Sequence, residues 1–564
     1  MQILATNITS PLGATTAENY AAVSSGLSAI ACHNHRFGIP EPFVASLFTD
    51  EQNAAMAIDG LSRFEALVVR SAAEALSHTS INVSSERTVL ILSTTKGNIE
   101  DLERHSLPLR LSPVEAAQTV ARHLGVSTTP IVVSDACISG VAAQVTALRL
   151  IDSGEYDHAI VCGADCQCRF IVSGFQSLKA VSPEPCRPFD IERLGLNLGE
   201  AAATIVFGRS DDSVDSWHII SGAIRNDAFH ISSPSPKGIG SLMALQAVAH
   251  TGQKLATVSV HGTATMYNDQ MESKAISQAG LSDVPITALK GYFGHTMGAA
   301  GILETIVTAT ALADGVVLPI KGFTEPGVSG SMNLSSSKRC AEGYGFVKLM
   351  SGFGGCNGAV ALDYGRRKVT LSVPSKYRLT HSVLLKPDGV DIDGERLDTT
   401  ASGAELLTEI YKSHIGNYPK YYKMDRLARL AFVAAQLLIA ADSEYEISYP
   451  ADTAVVMFNR SSSVVADNNY YATIADADNY FPSPSEFVYT LPNIALGEIA
   501  IYNHFNGETS LFILPDNCQE LRSTLIKSAF ADPDTQRVIA GTVNFDSDSS
   551  FVADIATYHR VIVS

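Results

Sequence analysis

Short apolar, β-branched runs alternate with longer Ala-rich stretches along most of the chain, the pattern of an α/β fold with buried strands. Arg87–Ser93 (RTVLILS) predicts one strand, and Leu61–Leu76 before it carries apolar residues at helical spacing. Pro130–Ser134 (PIVVS) predicts another, followed by a helix over Ile138–Ile151 in which Val141, Val145 and Leu148 share a face. Later strands are expected at Lys254–Val260 and Val284–Leu289, and Met1–Gly13 reads as a strand and turn. Gly345–Met350 and Ala359–Asp363 flank the turn SGFGGCNG as a hairpin, and this unit ends near Gly365.

The remainder repeats the order of features of the first part. MDRLARLAFVAAQLL (Met424–Leu438) echoes DGLSRFEALVVRSAAEAL (Asp59–Leu76), each with an Asp and an Arg four residues on. TAVVMFNRSSS (Thr453–Ser463) echoes RTVLILSTTKG, and SLFIL (Ser510–Leu514) takes the place of PIVVS. RVIAGTVNF (Arg537–Phe545) takes that of HAIVCGADC (His158–Cys166), and nothing after about Gly208 has a counterpart. The tail therefore reads as half a domain.

At 564 residues the chain exceeds one core, so at least two globular units are expected. One Trp and 7% aromatics imply an aliphatic interior, which suits packed α/β layers. The formal net charge of -18 argues against nucleic acid as a partner. No stretch is long and apolar enough to suggest a membrane span, and the N-terminus does not read as a signal peptide, so a cytoplasmic location is the expectation. Nine cysteines without regular spacing make no disulfide framework. Cys162, Cys166 and Cys168 have no second ligand pair and read as small buried hydrophobes rather than a metal site.

Three residues carry the chemistry. Cys137 falls between a buried strand and a helix, where the positive helix end favours thiolate and a sharp turn exposes the side chain. His261, in VSVHGTAT, and His295, in ALKGYFGHTMGAAG, each stand at a Gly-flanked strand end, where parallel α/β sheets assemble sites. Lys290 and Glu304 flank His295, while Asp269 and Glu272 follow His261. One Cys with two His suits acyl transfer, the thiolate attacking and the imidazoles donating or accepting protons.

DACISG, CRPFDIERLGLNLGEAA, VHGTATMYNDQME, LKGYFGHTMGAAGILE and SGFGGCNG, in this order, resemble the signature blocks of β-ketoacyl-acyl carrier protein synthases. The resemblance spans about Met1–Gly365 and implies a thiolase-like, layered αβαβα fold of two related halves. The halves are placed at residues 1–210, with the nucleophile, and 211–367, with the histidine pair. Residues 373–564 would be a third, incomplete N-terminal-type half, non-catalytic because Cys518 is out of register and no histidine block follows.

By the same resemblance, Cys137 holds the acyl chain, while His261 and His295 promote decarboxylation of a malonyl thioester. Lys290 supports the histidines with Glu304 beside it, and Asp269 and Glu272 order the surroundings. Phe353 is the gate, and the N–H groups of Cys137 and Phe353 form the oxyanion hole. No metal or organic cofactor is implied. Acyl- and malonyl-loaded acyl carrier protein is the implied partner, met at a basic patch near the entrance. A homodimer, or a heterodimer with another ketosynthase-like subunit, would pair through Pro130–Ser134, a pairing that Ser510–Leu514 could imitate. Two rival functions keep the fold: a chain-length-factor-like subunit and a thiolase-superfamily acyltransferase. Lys-Gly-Tyr-Phe-Gly-His at 290–295, Ser351 and Gly-Glu-Ala-Ala at 199–202 depart from the common pattern, which points to a polyene, polyketide or other specialised pathway rather than primary fatty-acid synthesis.

Overall fold

The run Thr88–Ser93 is buried at every position, which is why it is apolar throughout rather than alternating. A computed structural model describes residues 1–564 except 104–110, 249–253, 369–370, 372–374, 444, 477–478 and 562–564. The expected start of the tail, Val373, lies outside the described residues. The sheet is built from fifteen principal strands. These are β1 (Gln2–Thr9), β2 (Thr88–Ser93), β3 (Ile131–Val133), β4 (His158–Asp165) and β5 (Ala201–Gly208). Next come β6 (Ser216–Asn226), β7 (Leu255–Ser259), β8 (Ile286–Thr287), β9 (Gly345–Ser351) and β10 (Cys356–Gly365). The tail supplies β11 (Tyr377–Lys386), β12 (Thr453–Asn459), β13 (Thr509–Ile513), β14 (Arg537–Ser547) and β15 (Ser550–Arg560).

The first five pair in the order β3-β2-β4-β5-β1, parallel as far as β4 and antiparallel beyond. The next five pair as β8-β7-β9-β10-β6, with the same senses. The tail pairs as β13-β12-β14-β15-β11. A mixed α/β architecture with a large central sheet is therefore what the alternation implied.

Helices α1 (Ser139–Asp152), α2 (Arg169–Ser177), α3 (Met266–Gln278), α4 (Ala300–Ala313), α5 (Arg426–Ala441) and α6 (Ile494–Asn503) cover the sheet. In the middle, α1 and the turn leading into α4 touch backbone to backbone. A Cβ on Gly140 would stand 3.0 Å from the Gly298 carbonyl oxygen and 3.2 Å from the Gly301 Cα. Only small residues allow that approach, and it brings the start of α1 beside the start of α4.

The tail joins the rest through strand pairing. β13 runs antiparallel to β3, with Phe512 opposite Val133 and Ile513 opposite Val132. The edge expected to pair two subunits is thus taken within one chain. All four side chains are buried, each contributing roughly 1.5–3 kcal/mol. Three buried ion pairs cross the same boundary. Lys96 meets Asp467 at 2.5 Å, Arg149 meets Glu508 at 2.7 Å, and Arg225 meets Asp532 at 2.5 Å. Breaking such a pair strands a charge in the interior at a cost of about 3–5 kcal/mol. Asp467→Ala should lower stability by about that amount, whereas Lys96→Met with Asp467→Leu should restore most of it. Urea unfolding of the full chain, followed by far-UV dichroism, measures both.

Candidate active site

Cys137 sits in a single 3₁₀ turn, Ala136–Ile138, between β3 and α1. Ala136 adopts φ 48°, an unfavourable left-handed conformation for a side-chain-bearing residue, and so turns Cys137 out of the strand direction. His261 lies just past β7, and Ala264 behind it has φ 63°. His295 lies before α4, and Met297 behind it has φ 52°. Each of the three stands next to backbone held in a costly shape.

These turns bring the reactive atoms of Cys137, His261 and His295 within 4.8 Å of one another. The imidazole rings stand edge to face, 5.1 Å apart. The Met297 N–H donates to His295 Nδ1 at 3.3 Å, which leaves His295 Nε2 as the N–H of the neutral ring, without a partner among the described residues. Burial first, then Lys290 and Lys348, hold both histidines well below the usual imidazole range. Both are neutral at physiological pH.

Beneath them, Lys290 Nζ donates to the His261 carbonyl at 2.6 Å and to Glu304 Oε1 at 2.7 Å. Lys348 donates to Glu304 Oε2 and, at 2.9 Å, to the Val260 carbonyl. Glu304 thus anchors two lysines that fix the end of β7. On the other side, Glu272 accepts from the His261 and Gly262 N–H groups at 2.5 and 2.8 Å. Asp269 accepts from the Ala264 and Phe189 N–H groups at 3.1 and 2.7 Å. All the expected site residues are therefore gathered in one place.

The thiol meets the backbone N–H groups of Cys137 and Phe353, the pair expected to form an oxyanion hole. Its ionisation departs from expectation. Burial pushes the Cys137 thiol up to about 12, against the pull of Lys290 and these two N–H groups. Desolvation outweighs the helix end, so the resting pair is thiol and neutral imidazole. Cys137, His261 and His295 are also the one cluster among the described residues spaced to share a metal ion. Lys290 and Lys348 set positive charge against that cluster, which disfavours a cation there.

Cys137 and both histidines line a cavity of 370 Å³ whose mouth includes Lys179, His230 and Tyr267. Behind Cys137 and Phe353 lies a void of only about 10 Å³. Its walls include Ile171 and Phe175 and, from the tail, Phe487, Thr490 and Leu491.

Two family models match the chain. Residues 20–213 match the beta-ketoacyl synthase N-terminal domain and residues 218–324 its C-terminal domain, together more than half of the sequence. The chain belongs to the beta-ketoacyl synthase family. It is 27% identical over 399 residues to a 3-oxoacyl-[acyl-carrier-protein] synthase 2 of Vibrio cholerae, covering 62% of this chain and 95% of that protein. To the ketoacyl synthase alpha subunit of the tetracenomycin polyketide synthase of Streptomyces glaucescens it is 31% identical over 274 residues, 44% of this chain and 63% of that one. A solved structure titled PfaC Keto synthase-Chain length factor shares the fold over 99% of this chain and 78% of its own, with TM-score 0.77 at 12% identity. The Xenorhabdus doucetiae ketosynthase ApeO, solved with its chain length factor ApeC, matches over 64% of this chain and 97% of its own (TM-score 0.55, 24% identity).

Several residues around this cluster escaped sequence reasoning. Lys348 could have been found, being a lone lysine in the apolar strand GFVKLMS. Asp165, which binds Thr94, Thr95 and the Gly298 N–H behind the cavity, ends a buried strand and carried a similar signal. The tail residues gave none. If burial governs Cys137, its alkylation by iodoacetamide should still be accelerating at about pH 10 instead of levelling near the ordinary thiol value of about 8.5. Stopped alkylation read by intact mass gives the profile, and a plateau below about pH 8 would mean an ionised thiolate.

Proposed function

We propose that this chain is a β-ketoacyl-acyl carrier protein synthase, catalysing decarboxylative Claisen condensation of an acyl thioester with a malonyl thioester. The observation that carries this reading is the convergence of Cys137, His261 and His295 on one cavity, with two N–H groups directed at the thiol. In the first half-reaction Cys137 Sγ attacks the acyl thioester carbonyl while its proton passes to a neutral imidazole. The N–H groups of Cys137 and Phe353 take the oxyanion, the carrier C–S bond breaks, and the departing thiolate recovers the proton.

In the second half-reaction the malonyl carbonyl oxygen lies against His261 and the Nε2–H of His295. The bond to the carboxylate breaks, CO₂ leaves, and the electron pair becomes an enolate held by these donors. Its carbon attacks the acyl–Cys137 carbonyl, the C–S bond breaks with the electron pair going to sulfur, and the Cys137 thiolate takes a proton from solvent water to restore the thiol. Neutral histidines suit this step, since they supply hydrogen bonds without needing to be ionised first. No metal or organic cofactor enters any step.

The tail is best read as a third, incomplete half of the same fold, a chain-length-factor-like partner carried in cis. Its strands pair in the order and senses of β1–β5, and β13 sits where β3 would meet a second subunit. It also supplies part of the wall behind Cys137.

An acidic carrier protein is the partner that fits the cavity mouth. In a chain of net charge -18, the segment Tyr411–Lys423 carries Lys412, His414, Lys420 and Lys423 and no acid. Lys420 acts electrostatically on His230 of the rim, where Lys179 also stands exposed.

Cys137→Ala should abolish acyl loading, whereas His261→Ala and His295→Ala should load yet fail to release CO₂ from malonyl-carrier protein. Intact mass and CO₂ release distinguish these, and loading by Cys137→Ala would sink the reading. Lys179→Glu with Lys420→Glu should raise KM for carrier protein about tenfold at low salt and far less at high salt. Turnover with a small acyl thioester should change little.

A further inference from the structure

The residue that opens α6 belongs to the tail yet serves the loop opposite Cys137. Asn493 occupies the N-cap position of α6, where an Asn side chain normally accepts from the first free N–H groups of its helix. It makes no such bond here. Its Nδ2 instead donates to the Phe353 carbonyl at 2.8 Å, and its Oδ1 is buried without a partner among the described residues. The side chain gives up a favourable cap to hold a backbone group 140 positions away.

That backbone group needs holding. Gly354 and Gly355, directly after Phe353, adopt φ 89° and 74°, so the turn is built from the two most pliable residues available. The same peptide unit is held on its other side by the Gly354 N–H, which donates to the Ile231 carbonyl at 2.6 Å, and in the next peptide the Gly354 carbonyl accepts from Asn226 Nδ2 at 2.8 Å. Among the described residues, the Phe353 oxygen itself accepts only from Asn493 Nδ2 and the weak Cys356 S–H, 3.2 Å away. On the other side of Phe353, the Gly352 N–H donates to the Cys356 carbonyl at 2.8 Å. With both flanks fixed, the Phe353 N–H points at the Cys137 thiol.

The tail grips the ring of Phe353 as well. It stacks on Phe175 at 6.2 Å, and Phe175 meets Phe487 of the tail edge to face at 5.4 Å. Phe487 lies so close over Gly174 that a Cβ there would stand 2.1 Å from the ring.

We infer that Asn493 is a positioning residue for the oxyanion hole, so that the tail completes the acyl-transfer half of the condensing site. This rests on the function proposed above. Full-length Asn493→Leu and Asn493→Ala remove the donor, the first at nearly constant volume. In each, acyl transfer to Cys137 should slow about 10–100-fold, less than the loss of a whole donor, because the Phe353 N–H remains but is misaimed. KM for acyl-carrier protein should stay within about twofold, and so should CO₂ release from malonyl-carrier protein, which depends on His261 and His295. A residue that merely held the fold together would depress both steps alike.

Acyl loading by rapid quench and intact mass, beside CO₂ release on the same preparations, reads the split. Far-UV dichroism identifies the folded variant that decides, and Asn493→Ala, which adds no bulk, is the one expected to fold. Loading within twofold of wild type, or equal loss in both steps, overturns the inference. Failure of the wild-type chain to load Cys137 at all would instead overturn the proposed function.

Discussion

The pairing of β3 with β13 is the constraint on which the rest of the molecule depends. A three-residue strand leading to Cys137 would otherwise end the sheet with free N–H and C=O groups, an edge that invites aggregation. Here the tail covers it, and the pairing runs on into the turn that carries Cys137. The Ser134 N–H donates to the Leu511 carbonyl at 3.1 Å, and the Leu511 N–H donates to Asp135 Oδ1 at 2.8 Å. Asp135 is two residues from Cys137. The strand that docks the tail therefore also fixes the approach to the thiol, and the buried charges Lys96, Arg149 and Arg225 find their counter-ions only once it is docked.

Inside that frame, the site is organised by desolvation rather than by standing charge. Burial drives Cys137 toward the thiol and both histidines toward neutral imidazole, so no ion pair has to be dismantled before a substrate carbonyl arrives. Charge is kept one layer back, where Glu304 sits between Lys290 and Lys348 and both lysines hold carbonyls at the end of β7. Burial also lifts the carboxyls that hold the His261 turn, Asp269 to about 6 and Glu272 to about 7, while each keeps its backbone N–H donors. The left-handed Ala136, Ala264 and Met297 show what this order costs.

Much of this was legible in the sequence because it is local. A buried strand is apolar at every position, so Thr88–Ser93 and Thr453–Asn459 announced themselves, and Cys137, His261 and His295 followed from their places at the ends of such runs. The ionisation of Cys137 was not legible: sequence shows the helix end that lowers a thiol's pKa but not the solvent exclusion that raises it. Lys348 was overlooked although it broke an apolar pattern, because its partner Glu304 lies 44 residues away. Asn493 lay beyond reach. Its position reads as an ordinary helix cap, and only the folded chain reveals that its amide is used on Phe353.

The tail's contacts with the rest of the chain come from three of its parts. β13 supplies the edge, the segment around Phe487–Asn493 supplies the wall behind the thiol and the grip on Phe353, and Asp467, Glu508 and Asp532 supply the counter-charges. All of these parts stand on the five-stranded layer β13-β12-β14-β15-β11 or on the helices that rest against it, so the docking strand, the wall behind the thiol and the counter-charges are presented together.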